Sequence, residues 1–345
     1  MPQKRRIAVI GLGMAVTPHA KSLLDLAGRV EVAHAFSRSA ARRQAFAERF
    51  PFPLADDLEA IAGDGSVTAV TILTPPNTHL ELVERFAAAG KHILLEKPLE
   101  VSTERALALV RAAEAAGVKL GVVFQHRFRE ASLALRHRLE EGALGELAAA
   151  NLVCPWWRPQ GYYDEPGRGT LARDGGGVLI TQAIHTLDLA LSLTGPVAEV
   201  AAVCGTTRVH RMEAEDFAGA GLRFANGAYG ALFATTAEYP GFPERIELIG
   251  TRATALLAAG VVTIHHQDGR QETIGEEQST GGGADPMAFP HDAHRALLTD
   301  FLDALDQERE PTPSGREALR VHQFIDAVLR SSELRRDVAI PAGEL

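Results

Sequence analysis

The stretch RIAVIGLGMAV, residues 6–16, decides how the N-terminal part of this chain folds. It places the apolar run Ile7–Ile10 directly before Gly11-Leu12-Gly13, and a segment of helical character follows. A strand, a glycine turn and a helix in this order present backbone N–H groups where the pyrophosphate of a dinucleotide binds. Val16 holds the place of the third glycine in the usual G-x-G-x-x-G pattern, so a plain glycine-rich turn remains the alternative.

Outward from this turn, short apolar strands alternate with helical segments as far as residue 123. The amphipathic segments Leu80–Ala89 and Thr103–Ala116 are each followed by a glycine of the kind that ends helices. This alternation is typical of βαβ units and predicts a doubly wound parallel sheet, a Rossmann dinucleotide-binding domain over residues 1–123. The expected strands are Ile7–Ile10, Val30–Phe36, Ala69–Thr74, His92–Glu96 and Lys119–Val123.

From residue 124 onward the pattern changes to longer strands in close succession, joined by turn pairs such as Asn226-Gly227 and Asp268-Gly269. Residues 124–345 are therefore predicted to form an α+β domain with a large open, mainly antiparallel sheet. We expect this domain to bind the substrate and to make the contacts between subunits. The run Gly281–Gly283 predicts a loop. The expected strands are Val197–Cys204, Asp216–Phe224, Ala228–Thr235, Arg245–Ile249, Ala253–Leu257 and Val261–Gln267.

Composition narrows the class of partner. The 345 residues are 46% hydrophobic, enough for two cores, and the net charge of −9 is spread without a basic block, so no nucleic-acid partner is expected. No stretch is expected to span a membrane, and we expect a cytoplasmic protein with a small-molecule partner. The two cysteines, Cys154 and Cys204, form no CxxC pair, so no metal site is predicted.

The tip of the second strand bears on cofactor choice. An NAD site usually offers an acidic residue to the ribose there, whereas this chain offers Ser37 and Arg38, followed by Arg42 and Arg43. A cationic pocket suits a 2′-phosphate, so NADP(H) is expected to be preferred over NAD(H). The alternative is that Arg38 is a solvated surface charge and that either cofactor binds.

Three further strings carry a family resemblance: TPPNTH at residues 74–79, Glu96-Lys97-Pro98, and GGGVLITQAIHTLDL at residues 175–189. Together they resemble the glucose–fructose oxidoreductase, inositol dehydrogenase and rhizopine-catabolism (Gfo/Idh/MocA) family of sugar and polyol dehydrogenases. The resemblance implies hydride transfer between a nicotinamide cofactor and a secondary alcohol of a sugar, polyol or sugar acid. Taken with the glycine turn, it gives an expected cofactor-binding set of Gly11, Leu12, Gly13, Met14, Ser37, Arg38, Thr74, Pro75, Asn77, His79, Glu96, Lys97 and Gln125.

Lys97, His185 and Thr181 are the expected catalytic residues, with Lys97 and His185 as the central pair. Lys97 follows the carboxyl end of a parallel strand, where its ammonium can stabilise charge on a substrate oxygen. His185 suits exchange of a hydroxyl proton near neutral pH, although a buried core histidine is the alternative. Many relatives carry an acidic residue four positions earlier, where this chain has Thr181, which can bond a hydroxyl but cannot relay a proton as a carboxylate does. Asp188 is expected to orient rather than react.

The segment from Trp156 to Thr170 concentrates aromatic and arginine side chains in a chain that is only 6% aromatic. Such groups suit the apolar faces and hydroxyl edges of sugars, and carboxylates in particular, with an oligomer contact or a packed loop as the alternative. Arg127 is expected to hold the substrate or to brace the junction of the domains. The expected substrate-binding set is Lys97, Arg127, Arg158, Tyr163, Arg168, Thr181 and His185.

Two other functions stay open from the sequence. One is a cofactor-retaining lyase or hydrolase that oxidises a sugar transiently, and the other is a ligand-sensing regulator without chemistry. The presence of both Lys97 and His185 argues against the regulator. The open sheet face leaves apolar surface to cover, so a homodimer or homotetramer is expected.

Overall fold

A computed structural model describes residues 4–277 and 290–341 of the chain. The loop predicted at Gly281–Gly283 lies outside the described residues. The protein divides into two compact units, each made of two stretches of chain, namely Met1–Gln125 with Pro290–Leu319 and His126–Phe289 with Arg320–Leu345.

The first unit contains a six-stranded sheet whose neighbouring strands are all parallel. Its strands are β1 (Arg5–Ile10), β2 (Val30–Phe36), β3 (Leu54–Ala55), β4 (Ala69–Ile72), β5 (His92–Leu95) and β6 (Leu120–Val122). Their order is β3-β2-β1-β4-β5-β6, which confirms the predicted doubly wound parallel sheet. The sequence missed β3, because a two-residue strand leaves no readable periodicity.

Helices connect these strands, and the sequence supplies their caps. They are α1 (Val16–Asp25), α2 (Ala40–Ala47), α3 (Leu58–Gly63), α4 (His79–Ala88) and α5 (Thr103–Ala115). Three helices begin after a side chain that accepts a backbone N–H group, at Ser39, Asp57 and Ser102. Gly90 and Gly117 adopt φ of 70° and 67° just after α4 and α5, a left-handed conformation that ends a helix readily at glycine.

The second unit is built on a nine-stranded sheet with the order β14-β13-β12-β11-β7-β10-β9-β8-β15. Its strands are β7 (Leu147–Pro155), β8 (Val197–Gly205), β9 (Phe217–Phe224), β10 (Tyr229–Thr235), β11 (Arg245–Gly250), β12 (Ala253–Ala258), β13 (Val261–His266), β14 (Gln271–Gly275) and β15 (Val338–Ala339). Among the described strands of this sheet, only β7 and β10 pair in parallel, so the predicted mainly antiparallel sheet is confirmed.

The helices of the second unit are α6 (Glu130–Glu140), α7 (Gln160–Tyr163), α8 (Leu171–Asp174) and α9 (Ile184–Thr194). A single π-helical turn, Leu179–Ala183, leads into α9. By length and composition, Leu171–Thr194 is apolar enough to cross a membrane, contrary to the expectation that no stretch reaches that length. Its apolar window is 72% buried within the protein, as in the core helix of a globular domain.

Two last helices, α10 (Asp292–Asp306) and α11 (Gly315–Leu334), follow the second sheet in the chain. The sequence assigned everything after residue 123 to the second domain, but Pro290–Leu319 groups with the first unit. The reason is contact: α10 packs its buried apolar face against α1, and the Val122 N–H donates to the Pro313 carbonyl over 3.0 Å. Helix α11 begins in the first unit and ends in the second.

Candidate active site

The glycine turn after β1 is fixed by close backbone packing. Gly11 adopts φ of 107°, and a Cβ atom there would lie 2.8 Å from the carbonyl carbon and oxygen of Leu73. Only glycine fits this position. At Gly13, in contrast, a Cβ atom would meet nothing within 4 Å. The turn therefore presents bare backbone and open space before a ten-residue helix, which fits the pyrophosphate of a dinucleotide.

Residues 37–43, which directly follow β2, include arginines and no acidic residue. Ser37 is buried and its Oγ accepts the Ser39 N–H at 3.3 Å, while Arg38 is exposed. The Arg43 guanidinium donates to the Ser37 carbonyl at 2.6 Å, so a second arginine lies beside this turn. These side chains match the expected partners of an adenosine ribose or its phosphate.

His79 supports the turn that carries Lys97. Its ring is fully buried, with Nε2 2.8 Å from the Thr74 carbonyl and Nδ1 3.0 Å from the Pro98 carbonyl. Burial lowers the pKa of His79, against the opposing effect of its contacts with backbone carbonyl groups. Pro75 and Asn77 beside it are exposed. The buried His79 ring links two backbone turns. The expected contact of His79 with the cofactor stays a prediction.

Lys97 is the second residue after β5, and its peptide bond to Pro98 is cis. Its backbone N–H donates to Glu96 Oε2 at 3.0 Å, and Glu96 Oε1 lies 2.9 Å from Nε2 of His19 on α1. Glu96 thus contacts the catalytic candidate through the main chain. His19 was not singled out from the sequence, where it is one histidine in an amphipathic helix.

A π-helical turn precedes the helix that carries His185. The Thr181 hydroxyl lies within this turn and donates to the Gly177 carbonyl at 2.6 Å. In an unbroken α-helix, Thr181 and His185 would lie one turn apart. A π turn holds more residues than an α turn, and such turns occur frequently at functional sites.

Glu215 fixes the start of this helical segment. Its buried carboxylate accepts the N–H groups of Gly177 and Leu179, each at 3.1 Å. Burial raises the pKa of Glu215, against the opposing effect of these two hydrogen bonds. No sequence motif predicts this role for Glu215, because its partners in the turn are more than 30 residues away along the chain.

His185 and Asp188 on α9 have defined partners within the second unit. The His185 ring stacks on that of His126 with a centroid distance of 4.8 Å. Asp188 accepts two hydrogen bonds from the Arg127 guanidinium, at 2.6 and 2.7 Å. Arg127 was expected to hold the substrate or to brace the junction of the domains. Its buried ion pair braces α9, and a contact with the substrate stays a prediction. The expectation that Asp188 orients rather than reacts agrees with the pair.

Arg158 and Tyr163, two predicted sugar-gripping residues, lie inside their loop. Their exposed fractions are only 2% and 7%. The Tyr163 hydroxyl shares a 2.6 Å hydrogen bond with Thr236, and burial raises its pKa. The Arg158 carbonyl lies 2.8 Å from His210 Nε2. Both side chains therefore pack within the loop, and His210 was missed as a neighbour of both. Their contact with the substrate stays a prediction.

Arg168 is better placed to reach a ligand, because it is only partly buried. Its guanidinium lies 4.4 Å above the Tyr162 ring and donates to the Tyr162 hydroxyl at 2.7 Å. The pair combines a planar cation with an aromatic face, the chemistry that suits a carboxylated sugar. Tyr162 was not among the predicted site residues.

Comparison with known proteins identifies the family. Residues 5–124 match the model of an oxidoreductase family with an NAD-binding Rossmann fold, GFO_IDH_MocA, and residues 132–256 match the GFO/IDH/MocA C-terminal domain. The chain belongs to the Gfo/Idh/MocA oxidoreductase family. The family resemblance inferred from the sequence is thereby confirmed, and the cofactor is NAD(P).

Several similar proteins have names that identify them as dehydrogenases of polyols or sugars. Inositol 2-dehydrogenase of Rhizobium meliloti (strain 1021) is 27% identical over 97% of this chain and 99% of its own length. D-apiose dehydrogenase of Rhizobium rhizogenes is 29% identical over 83% of each chain. The WlbA dehydrogenase of Bordetella pertussis, solved with NADH and UDP-GlcNAcA, is 27% identical with a TM-score of 0.85 over 99% of both chains.

Proposed function

We propose that this protein is an NAD(P)-dependent dehydrogenase that reversibly oxidises a secondary alcohol of a sugar, polyol or sugar acid. The observation that carries the proposal is the anchored Lys97 after β5, whose turn is held by Glu96 and His79. Lys97 lies past the carboxyl end of a parallel strand, the edge at which open α/β sheets bind their ligands. The dehydrogenase names of the relatives support the same reaction class.

Bound nicotinamide supplies the hydride acceptor or donor. The Lys97 ammonium stabilises the negative charge that develops on the substrate oxygen. His185 accepts the hydroxyl proton during oxidation and returns it during reduction. Thr181 lacks a titratable group and contributes a hydrogen bond only. The proton route therefore relies on His185 rather than on a carboxylate one turn before it.

A sugar carrying a carboxylate is the substrate class we favour. Arg168 stacks on Tyr162 and is partly exposed, and its guanidinium donates a 3.0 Å hydrogen bond to the exposed carboxylate of Glu165, which a substrate carboxylate would replace. The WlbA dehydrogenase, a structural neighbour at 27% identity, was solved with UDP-GlcNAcA. Both free and nucleotide-linked sugar acids are consequently the first compounds to test.

We further propose that NADP(H) is preferred over NAD(H). Ser37 and Arg38 replace the acidic ribose partner, and Arg43 adds a second guanidinium beside them. The solved WlbA complex contains NADH. The proposed preference for NADP(H) therefore rests on the residues at the end of β2 in this chain and not on that relative. We propose a cytoplasmic location and a homodimer or homotetramer.

A substrate screen tests the proposal. Sugars, inositols and sugar acids, free and UDP-linked, are offered with NAD⁺ and NADP⁺ while nicotinamide absorbance is followed, with Lys97→Ala as the control. We expect substrate-dependent cofactor reduction that the control loses. Tightly held cofactor with substrate conversion but no accumulated NAD(P)H would instead indicate the lyase or hydrolase. Ligand binding without turnover would indicate the regulator.

A further inference from the structure

The two carboxylate oxygens of Glu96 have different partners. Oε1 lies 2.9 Å from Nε2 of His19, and Oε2 accepts the backbone N–H of Lys97 over 3.0 Å. All three residues belong to the first unit. One carboxylate therefore joins a side chain of α1 to the main chain of the lysine that follows β5.

This arrangement has little room to rotate. The His19 side chain is 3% exposed and that of Glu96 is 13% exposed. The His19 ring also packs edge to face against His294 of α10, with a centroid distance of 5.1 Å and an interplanar angle of 86°. If the Glu96 carboxylate turned, it would give up the bond to His19, the bond to Lys97, or both.

The charged groups around Glu96 keep it ionised. Burial alone would raise its pKa, but the hydrogen bond and the charge of His19 lower it, with further lowering by Lys97 and His294. The net direction is a pKa below the usual value for glutamate. At neutral pH the carboxylate is available as an acceptor for the Lys97 N–H.

We propose that His19 and Glu96 are positioning residues for Lys97: Glu96 fixes the Lys97 backbone, and His19 fixes the Glu96 carboxylate. The functional part of this inference rests on the proposed dehydrogenase role of Lys97. A charged group stabilises a developing charge best when its position is fixed before the reaction, and displacements of about 1 Å can cost on the order of a hundredfold in rate.

The lysine content makes the contact directly observable. The chain has only five lysines, Lys4, Lys21, Lys91, Lys97 and Lys119. Labelling with ¹⁵N-lysine therefore gives five backbone amide signals, and Lys97→Arg identifies the one that belongs to Lys97. In His19→Leu and in Glu96→Ala we expect that signal to shift and its hydrogen exchange to accelerate, while the other four report an intact fold.

His92 provides a matched control at the other end of β5. Its Nδ1 accepts the backbone N–H of another lysine, Lys119, over 3.0 Å. His92→Ala should therefore move the Lys119 signal and leave the Lys97 signal in place. This variant removes a histidine–amide contact of similar length without touching the candidate site.

Kinetics supply the functional readout. His19→Leu should lower kcat by about ten- to a hundredfold, with little change in cofactor Kd, because the lysine is displaced but not removed. Without His19, burial raises the pKa of Glu96, so the acid side of the pH profile should move to higher pH. His19→Gln keeps a side-chain donor and should restore much of kcat and of the profile.

Two outcomes separate this inference from the proposed function. An unmoved Lys97 amide in both His19→Leu and Glu96→Ala, with the fold intact, overturns the positioning role. A wild-type protein that oxidises none of the sugars, but whose Lys97 amide moves as expected, overturns the dehydrogenase proposal and leaves the contact established. If His19→Leu does not fold, His19→Gln and Glu96→Ala decide the same question by the amide signals.

Discussion

Arg127 and Asp188 are joined by two hydrogen bonds, Nε to Oδ2 at 2.7 Å and Nη2 to Oδ1 at 2.6 Å. Their side chains are 5% and 0% exposed. The pair connects the turn Gln125–Phe128 to α9, because Arg127 lies in the turn and Asp188 lies on α9, three residues after His185. Both charged groups have lost their hydration on burial, and their mutual attraction offsets part of that cost.

Removing one member of this pair should be costly. Asp188→Ala removes the carboxylate that pairs with the buried Arg127 guanidinium, so we expect the free energy of unfolding to fall by about 3–5 kcal/mol. Denaturant unfolding measures the change. The double variant Arg127→Leu/Asp188→Leu should recover part of the loss. Asp326→Ala, which breaks an exposed ion pair on α11, is the control and should change stability by less than about 0.5 kcal/mol.

Gly177 should tolerate no side chain. A Cβ atom there would lie 1.7 Å from the Glu215 carbonyl oxygen, so Gly177→Ala must displace that backbone. We expect a loss of at least about 2 kcal/mol in unfolding free energy. Gly161→Ala meets nothing within 4 Å and should be neutral or slightly stabilising. Equal stability of the two variants would contradict the packing described.

The cofactor preference depends on Arg38 and Arg43. If Arg38 pairs with a 2′-phosphate, Arg38→Ala should weaken NADPH binding by about tenfold and leave NADH binding nearly unchanged. Titration of cofactor fluorescence gives both dissociation constants. Glu31→Ala, an exposed change on the same strand, is the control. If the wild-type protein binds NADH more tightly than NADPH, the proposed preference for NADP(H) is wrong, and the fold assignment is unaffected.

Lys97 and His185 should differ in kinetic signature from Arg168. Lys97→Ala should lower kcat by about a hundredfold or more, and His185→Ala by roughly 10² to 10⁴ with a flattened pH profile. Arg168→Ala should act mainly on KM if it grips a part of the sugar remote from the reacting carbon. Near-normal turnover in His185→Ala would show that another residue carries the proton.

The exposed face of the nine-stranded sheet should form the contact between subunits. Val203 on β8 and Tyr229 on β10 are 70% and 68% exposed, unusual values for large apolar side chains. Light scattering at micromolar concentration should show a dimer or tetramer, and Val203→Glu should shift it toward the monomer. A wild-type monomer under these conditions would rule out the assembly.

Local patterns were readable from the sequence, and long-range contacts were not. The predicted strand Val30–Phe36 matches β2 residue for residue, because its apolar run ends at clear turn residues. The π-helical turn before α9 was missed, since its apolar residues are compatible with an ordinary helix. His19, Glu215 and His210 were also missed, because their roles depend on partners more than 30 residues away.

Because α10 packs on α1, the dinucleotide-binding unit of this protein is discontinuous in the sequence. A fragment that stops at Gln125 would lack the Pro290–Leu319 stretch and expose the apolar surface that α10 covers. Chimeras that exchange cofactor specificity among relatives therefore need three junctions, one after Gln125 and one at each end of Pro290–Leu319. Both stretches must come from the same parent, or the helix pair loses its matched faces.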